Sequence, residues 1–197
     1  MKARHWVWLW SVLAVAALPS GVLAASYEID ASHSTVGFRI RHLVGRVNGS
    51  FTRFDGMIDF DEKAPAKGKV TATIDAASIN TANEKRDEHL RNEDFFYVAK
   101  YPKITFVSQK VTPNGKGRYR VLGTLTMRGV SRPTVLDVRL NGVAADPWGG
   151  TRAGFTATTK LNRKDFGISW NQTLDRGGAV LGDEVEVTLE IEAVQKK

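Results

Sequence analysis

Residues 184–193 read EVEVTLEIEA, and this stretch alternates strictly between polar and apolar side chains. Its odd-numbered positions carry Val, Leu, Ile and Ala, whereas its even-numbered positions carry Glu and Thr. Because successive side chains of a β-strand point to opposite faces, this period of two places every apolar side chain on one face. The stretch therefore predicts a half-buried antiparallel strand.

The same alternation recurs in seven other segments. Including the first stretch, we expect strands near residues 35–43, 51–61, 69–76, 103–112, 118–128, 132–143, 151–161 and 183–194. Asn-Gly pairs at 48–49, 114–115 and 141–142 predict tight turns, because both residue types accept positive φ. Residues 83–97 contain no β-branched residue and predict a helix between the third and fourth strands. An all-β chain of this kind forms either a sandwich or a closed barrel.

The first 24 residues have the organisation of a secretory signal peptide. Lys2 and Arg4 precede an apolar run from Trp6 to Leu18, and Val22-Leu23-Ala24 offers a cleavage site before Ala25. An uncleaved anchor is the alternative, but the run is shorter than the roughly 20 residues that span a bilayer. We expect a signal peptide over residues 1–24, one secreted domain over residues 25–197 and no integral membrane segment in the mature chain.

Composition limits the functional classes. Removing residues 1–24 takes away two basic residues and no acid, so the net charge falls from +7 to +5. The chain has no cysteine, so no disulfide holds the fold together. The basic residues alternate with acids and the aromatic residues fall on the inward faces, unlike the stacking platforms of proteins that bind single-stranded nucleic acids. We expect no nucleic-acid partner.

Several motifs, in order along the chain, resemble those of the YceI-like family of periplasmic polyisoprenoid-binding proteins. They include Tyr27-x-Ile29-Asp30-x-x-His33-Ser34, Gly49-x-Phe51-x-x-Phe54-x-Gly56, Arg86-Asp87-x-His89-Leu90-Arg91-x-x-Asp94-Phe95-Phe96, Gly123-x-Leu125-Thr126-x-Arg128-Gly129 and Asn162-Arg163-x-Asp165-Phe166-Gly167-Ile168. The resemblance implies an all-β fold: an extended, lipocalin-like, eight-stranded antiparallel barrel with a helix between the third and fourth strands. It also implies a periplasmic, stress-linked lipid-binding role, a homodimer and no catalysis.

A barrel that carries a long isoprenoid needs an apolar tunnel wall. We expect this wall to consist of Phe38, Ile40, Phe51, Phe54, Ile58, Phe60, Phe106, Leu125, Phe155, Phe166 and Ile168. Small residues such as Ala72, Gly123 and Ala157 on the same faces would leave gaps for a ligand. The alternative is a sealed core, in which these side chains pack against one another and the barrel serves as a protein-interaction module.

A lipid headgroup needs polar partners at the tunnel mouth. The candidates are Arg41, His42, Arg86, Asp87 and His89. If His42 points inward with the wall residues of its strand, strand parity turns Arg41 outward. The alternative for Arg86, Asp87 and Arg91 is that they tie the helix to strand ends by ion pairs. The headgroup stays open among a quinone, a prenyl phosphate, a fatty amide and a fatty acid.

The sequence gives little support for an enzyme. His33, His42 and His89 lie far apart in sequence, and neither a His-Glu-x-x-His motif nor a nucleophile elbow is present. Convergence of the three histidines on a metal is the remaining alternative, and no spacing signature favours it. We expect neither a catalytic residue nor a metal ligand, and no cofactor apart from a bound polyisoprenoid or quinone-like lipid.

Overall fold

The computed structural model describes residues 25–173 and 178–196. The signal peptide expected over residues 1–24 lies outside the described residues. The strands are β1 (Ala25–Ile29), β2 (Thr35–His42), β3 (Gly45–Phe51), β4 (Phe54–Phe60), β5 (Lys69–Asp75), β6 (Ile79–Asn80), β7 (Lys103–Pro113), β8 (Arg118–Met127), β9 (Val130–Ala145), β10 (Thr151–Asn162) and β11 (Leu181–Gln195). One α-helix, α1 (Glu84–Arg91), lies between β6 and β7.

Eight of these strands close into an antiparallel barrel. The order around the barrel is β1-β4-β5-β7-β8-β9-β10-β11, and β11 pairs with β1 to complete the ring. The expected eight-stranded antiparallel barrel with one helix is therefore confirmed.

β11 contributes to two parts of the wall. Its last residues pair with β1, as in Ala193↔Ile29, while the register from Glu190↔Thr35 to Leu181↔His42 joins it to β2. A turn of 3-10 helix, Ala31–His33, separates β1 from β2. β3 then pairs with β2, and β6 pairs with β3. The β2-β3-β6 extension lengthens one end of the barrel beyond the closed ring.

The predicted segment 51–61 was wrong in its first residues, because Phe51 ends β3 and β4 begins at Phe54. The turn predicted at 48–49 was also wrong, since Asn48 and Gly49 lie within β3. A Cβ built on Gly49 would approach Cζ of Phe38 to 2.3 Å. The glycine therefore makes room for an aromatic ring on the neighbouring strand rather than for a bend.

The other two Asn-Gly pairs have different outcomes. Gly115 adopts a φ of +100° between β7 and β8, so the turn predicted at 114–115 is confirmed. The pair at 141–142 lies inside β9, where the register with β10 shifts between Gly154 and Phe155. It accompanies a bulge in a continuous strand, so the turn predicted there was wrong.

The predicted helix is real but shorter than residues 83–97. Asn83 caps its start by accepting a hydrogen bond from the Arg86 N–H. The helix ends at Arg91, and the chain turns at Asn92, whose carbonyl oxygen accepts from the backbone N–H groups of Phe95 and Tyr97. These turns allow the Phe95 side chain to be buried in the core.

Candidate functional site

The end of the barrel that carries the β2-β3-β6 extension contains a cavity of about 380 Å³. We call it the larger cavity. Its wall comes from β2, β3, β6, β8, α1, β10, β11 and the segments next to α1 and after β10. It is lined by Phe38, Ile40, His42, Val47, Phe51, Ile79, Thr81, Lys85, Arg86, His89, Leu90, Phe95, Phe96, Met127, Leu161, Arg163, Ile168, Trp170, Leu181, Val185 and Val187.

A smaller cavity of about 100 Å³ lies in the closed ring. Residues of β11 show how the two cavities are arranged, because Val185 and Val187 line the larger cavity whereas Leu189 and Ile191 line the smaller one. These four side chains share one face of a single strand. The cavities therefore follow one another along the inside of the barrel.

Among the described residues, the two cavities share no lining side chain. The buried apolar side chains of the interior form two clusters, and Leu125 packs against both of them. Next to it, a Cβ built on Gly123 would lie 2.4 Å from Cζ of Phe106, so the Phe106 ring already occupies the space beside this glycine. The gap expected at Gly123 is therefore filled by the Phe106 ring, whose residue is paired with Leu125 in the β7–β8 register.

The predicted wall residues fall into three groups. Phe38, Ile40, Phe51 and Ile168 line the larger cavity, and Ile58, Phe60 and Phe155 line the smaller one. The remaining four line neither cavity and belong to the packed core: Phe54, Phe106, Leu125 and Phe166.

Of the predicted mouth residues, His42, Arg86 and His89 line the larger cavity. Arg41 does not, because strand parity turns it to the outer face, where its guanidinium donates to the carbonyl oxygens of Leu43 (3.1 Å) and Ala179 (3.3 Å). Asp87 also lies outside the lining. Its buried carboxylate accepts from both the backbone N–H (2.8 Å) and the hydroxyl of Thr81.

Arginines anchor α1 through hydrogen bonds to neutral oxygens rather than through ion pairs. Arg86 donates to the hydroxyl oxygen of Thr81 at 2.7 Å and to its carbonyl oxygen at 2.8 Å. Arg91 donates to the carbonyl oxygens of Ala77 and Ile79. Arg86 therefore has a structural role in addition to its place in the cavity wall.

His89 sits in an aromatic cluster at the cavity wall. Its ring lies edge-on to Phe95 (5.0 Å between centroids) and to Trp170 (5.1 Å), and its Nε2 is 3.0 Å from Oδ2 of Asp94. Trp170 was not among the predicted site residues. No alternating pattern covers the segment after β10, so its place in the wall had no signal beyond its aromatic type.

Arg163 is a second wall residue that sequence reasoning missed. It is buried and donates to the carbonyl oxygens of Gly182, Ile168 and Trp170, with Asp183 Oδ1 at 3.2 Å. Burial lowers its pKa from the ordinary arginine value, and the nearby Asp183 carboxylate opposes that shift. Arg163 thus fixes the irregular segment that carries Ile168 and Trp170 into the cavity wall.

The titratable side chains that line the larger cavity are all basic in the part of the chain that the structure describes. Among the described residues, those that line it are Lys85, Arg86, Arg163, His42 and His89, and no Asp or Glu joins them. Within the same part of the chain, neither His42 nor Lys85 has a side-chain hydrogen bond or an ion pair. These two groups are available to a ligand.

The histidines do not converge. His42 and His89 line the larger cavity, whereas His33 lies beside Asp30, with Nδ1 2.8 Å from Oδ2. In the described ranges, the one group with metal-ligand spacing is Asp30, His33 and Glu192. Arg152 already donates to both of these carboxylates. Hydrogen bonds from Ser32, Arg152 and His33 hold the pKa of the Asp30 carboxyl well below its usual range.

Within residues 25–173 and 178–196, we find no helix with the length and apolarity needed to cross a membrane.

Comparison with known proteins identifies relatives over most of the chain. The model of the YceI-like domain matches residues 27–193. A UPF0312 protein of Yersinia pestis (strain Pestoides F) is 46% identical over 178 residues, which cover 89% of each chain, and one from Serratia proteamaculans (strain 568) shows the same identity and coverage.

Solved structures agree with this assignment. The Campylobacter jejuni YceI protein aligns with a TM-score of 0.68 at 35% identity, covering 80% of this chain and 90% of that one. Burkholderia cenocepacia BcnA has a TM-score of 0.75 at 24% identity, covering 83% and 98%. A polyisoprenoid-binding domain from Saccharophagus degradans has a TM-score of 0.62 at 19% identity, covering 88% and 99%. With its motifs, its barrel and these matches in agreement, the chain belongs to the YceI-like family.

Proposed function

We propose that the protein is a periplasmic carrier that holds one long-chain amphiphilic lipid, of the polyisoprenoid class or similar, inside its barrel. The larger cavity carries this proposal. Its volume of about 380 Å³ is within the range of roughly 300–1,000 Å³ that is typical of small-molecule sites. Its wall is mostly aliphatic and aromatic, with polar groups concentrated on α1 and at the end of β2.

Burial of a hydrocarbon tail would provide most of the binding energy. Each buried CH₂ contributes about 0.8 kcal/mol, so a tail needs only a dry wall to bind tightly. Wall residues such as Phe38, Val187 and Ile168 provide that surface. The smaller cavity follows the larger one along the barrel interior, and a tail too long for the larger cavity would have to displace packed core side chains to reach it.

The charges at the cavity favour an anionic headgroup among those left open by the sequence. Lys85, Arg86 and Arg163 are cationic, and no carboxylate lines the wall in the part of the chain that the structure describes. A phosphate or carboxylate headgroup would gain charge-assisted hydrogen bonds from Lys85, whose ammonium has no protein partner there. A quinone or amide would gain less from the same groups.

The name of the Saccharophagus degradans domain describes that protein as polyisoprenoid-binding. At 19% identity it supports the shared barrel, and the proposed cargo of this chain rests on the cavity and its wall.

A cavity-filling variant tests the proposal. Val187 points into the larger cavity, whereas the adjacent Thr188 is exposed on the outer face of β11. We expect Val187→Phe to reduce uptake of a fluorescent prenyl phosphate at least about ten-fold, because the added ring fills the space that the tail needs. Thr188→Phe, which adds the same ring to the opposite face of the strand, serves as the matched control and should take up lipid normally.

The melting temperatures of the two variants separate lipid binding from a sealed core. If the cavity is a ligand site, Val187→Phe folds with nearly unchanged stability while uptake falls. Unchanged uptake together with a destabilisation of about 1–3 kcal/mol, the usual cost of overpacking, would instead favour a sealed barrel that serves as an interaction module.

A further inference from the structure

The turn between β2 and β3 has residue types that are unusual for a tight hairpin. β2 ends at His42 and β3 begins at Gly45, so Leu43 and Val44 form a two-residue connection. Leu43 has a φ of +51°. Such positions favour Gly, Asn or Asp, because a Cβ makes the left-handed conformation costly. The sequence has a leucine here followed by a valine.

Both side chains of this turn are exposed to solvent, Val44 more than Leu43. Val44 is fully exposed, and Leu43 is 42% exposed. Single exposed apolar residues are common on protein surfaces. Here two of them are adjacent at the tip of a hairpin, and one has a strained backbone conformation, which is a combination found at functional sites.

A group of arginines lies directly behind this tip. Arg41 is opposite Arg46 in the β2–β3 register, and like charges in that arrangement destabilise a sheet. Glu186 pairs with both Arg39 and Arg46. Arg41 contacts only carbonyl oxygens among the described residues. Within the described chain, Arg39 and Arg46 share the Glu186 carboxylate and Arg41 has no carboxylate partner, so the base of the hairpin carries an excess of positive charge.

The hairpin also forms part of the rim of the larger cavity. His42 and Val47, one on each strand, line that cavity. Lys85 and Arg86 line it from α1 and add to the positive charge. An apolar tip flanked by arginines thus stands beside the cavity proposed to hold the lipid.

We infer that the Leu43–Val44 turn docks on an anionic lipid bilayer. The two apolar side chains insert at the boundary of headgroups and acyl chains, while Arg39, Arg41 and Arg46 contact anionic headgroups. This arrangement brings the rim of the larger cavity to the membrane surface. The inference concerns a surface outside the cavity and does not depend on the identity of the cargo.

Vesicle sedimentation of the purified protein tests this inference. We expect the protein to sediment with phosphatidylcholine vesicles that contain phosphatidylglycerol, to bind pure phosphatidylcholine more weakly, and to be released by salt, which screens the arginines. Leu43→Asn/Val44→Ser should weaken sedimentation about ten-fold or more, because it removes two aliphatic side chains from the bilayer. The melting temperature of this variant should stay unchanged or rise, because Asn accepts the positive φ.

Two exposed apolar residues elsewhere provide matched controls. Trp148→Ser, in the β9–β10 turn, and Val107→Ser, on β7, should leave sedimentation unchanged. A parent protein that ignores anionic vesicles, or a loss caused by Trp148→Ser but not by the Leu43/Val44 variant, would overturn the inference. Val187→Phe separates the two proposals, because it should lose lipid uptake and still sediment with vesicles.

Discussion

At the rim of the larger cavity, Lys85 and Arg86 are adjacent in sequence but differ in their contacts. The Arg86 guanidinium is bound to Thr81, whereas the Lys85 ammonium has no partner within the described chain. His89 is intermediate, because it lines the cavity and also contacts Asp94. Lys85 is therefore the candidate for ligand contact, Arg86 supports the structure, and His89 can do both.

We predict that Lys85→Gln weakens a lipid with an anionic headgroup about ten-fold or more and leaves a hydrocarbon of equal length unaffected. The reason is the loss of one charge-assisted hydrogen bond, which is worth roughly 1.5–3 kcal/mol. Equilibrium binding of a prenyl phosphate and of the matching headless alkene measures the difference.

Arg86→Gln provides the comparison for Lys85→Gln. It removes hydrogen bonds to Thr81 as well as one cationic group of the cavity wall, so the melting temperature and the affinity for the headless alkene should fall along with the affinity for the prenyl phosphate. An equal loss for both lipids in Lys85→Gln would remove the case for a headgroup contact at this residue.

At the scale of elements, Asp30 stabilises the 3-10 turn that separates β1 from β2. Its side chain caps the 3-10 turn by accepting from the Ser32 N–H, and it also accepts from Arg152 of β10 at 2.8 Å. Because these bonds favour the ionised carboxylate, the pKa of Asp30 is lower in the folded than in the unfolded chain. This carboxylate therefore links the end of the closed ring to the start of the β2-β3-β6 extension.

The lowered pKa predicts how Asp30 affects stability as the pH changes. Its contribution is fully present above the unfolded value of about 3.9 and is lost as the pH falls towards the lower folded value. We expect Asp30→Asn to reduce the free energy of unfolding at pH 7, with a difference from the parent that narrows on acidification. Urea unfolding at a series of pH values measures it, and a difference that widens in acid would contradict this role.

Sequence patterns predicted the long strands better than the short ones. β11 alternates between polar and apolar side chains over residues 184–193, so its position followed from periodicity alone. β3 was missed because Asn48-Gly49 has the composition of a turn, and only the position of the Phe38 ring explains why a glycine belongs in that strand. The helix predicted up to residue 97 ends at Arg91, because the turns that follow allow Phe95 to be buried in the core.

At the scale of the whole molecule, the division of the interior could not be predicted. Alternation places Phe38, Phe106 and Phe155 on inward faces alike. Phe38 nevertheless lines the larger cavity, Phe155 lines the smaller one, and Phe106 lines neither and packs in the core. Which cavity a side chain lines depends on its position along the barrel axis and on the side chains that face it from other strands. The burial of Arg163 could not be predicted either, because its partners are backbone carbonyl oxygens, which leave no side-chain pattern in the sequence.

Native mass spectrometry of the protein purified from its own host, followed by organic extraction, tests the central claim most directly. We predict a chain that begins at Ala25 and carries a mass excess equal to one long-chain lipid, which is released into the extract. A chain that retains Met1 would contradict the expected export with signal cleavage. A barrel that arrives empty and also takes up no added prenyl lipid would contradict the lipid-carrier account itself.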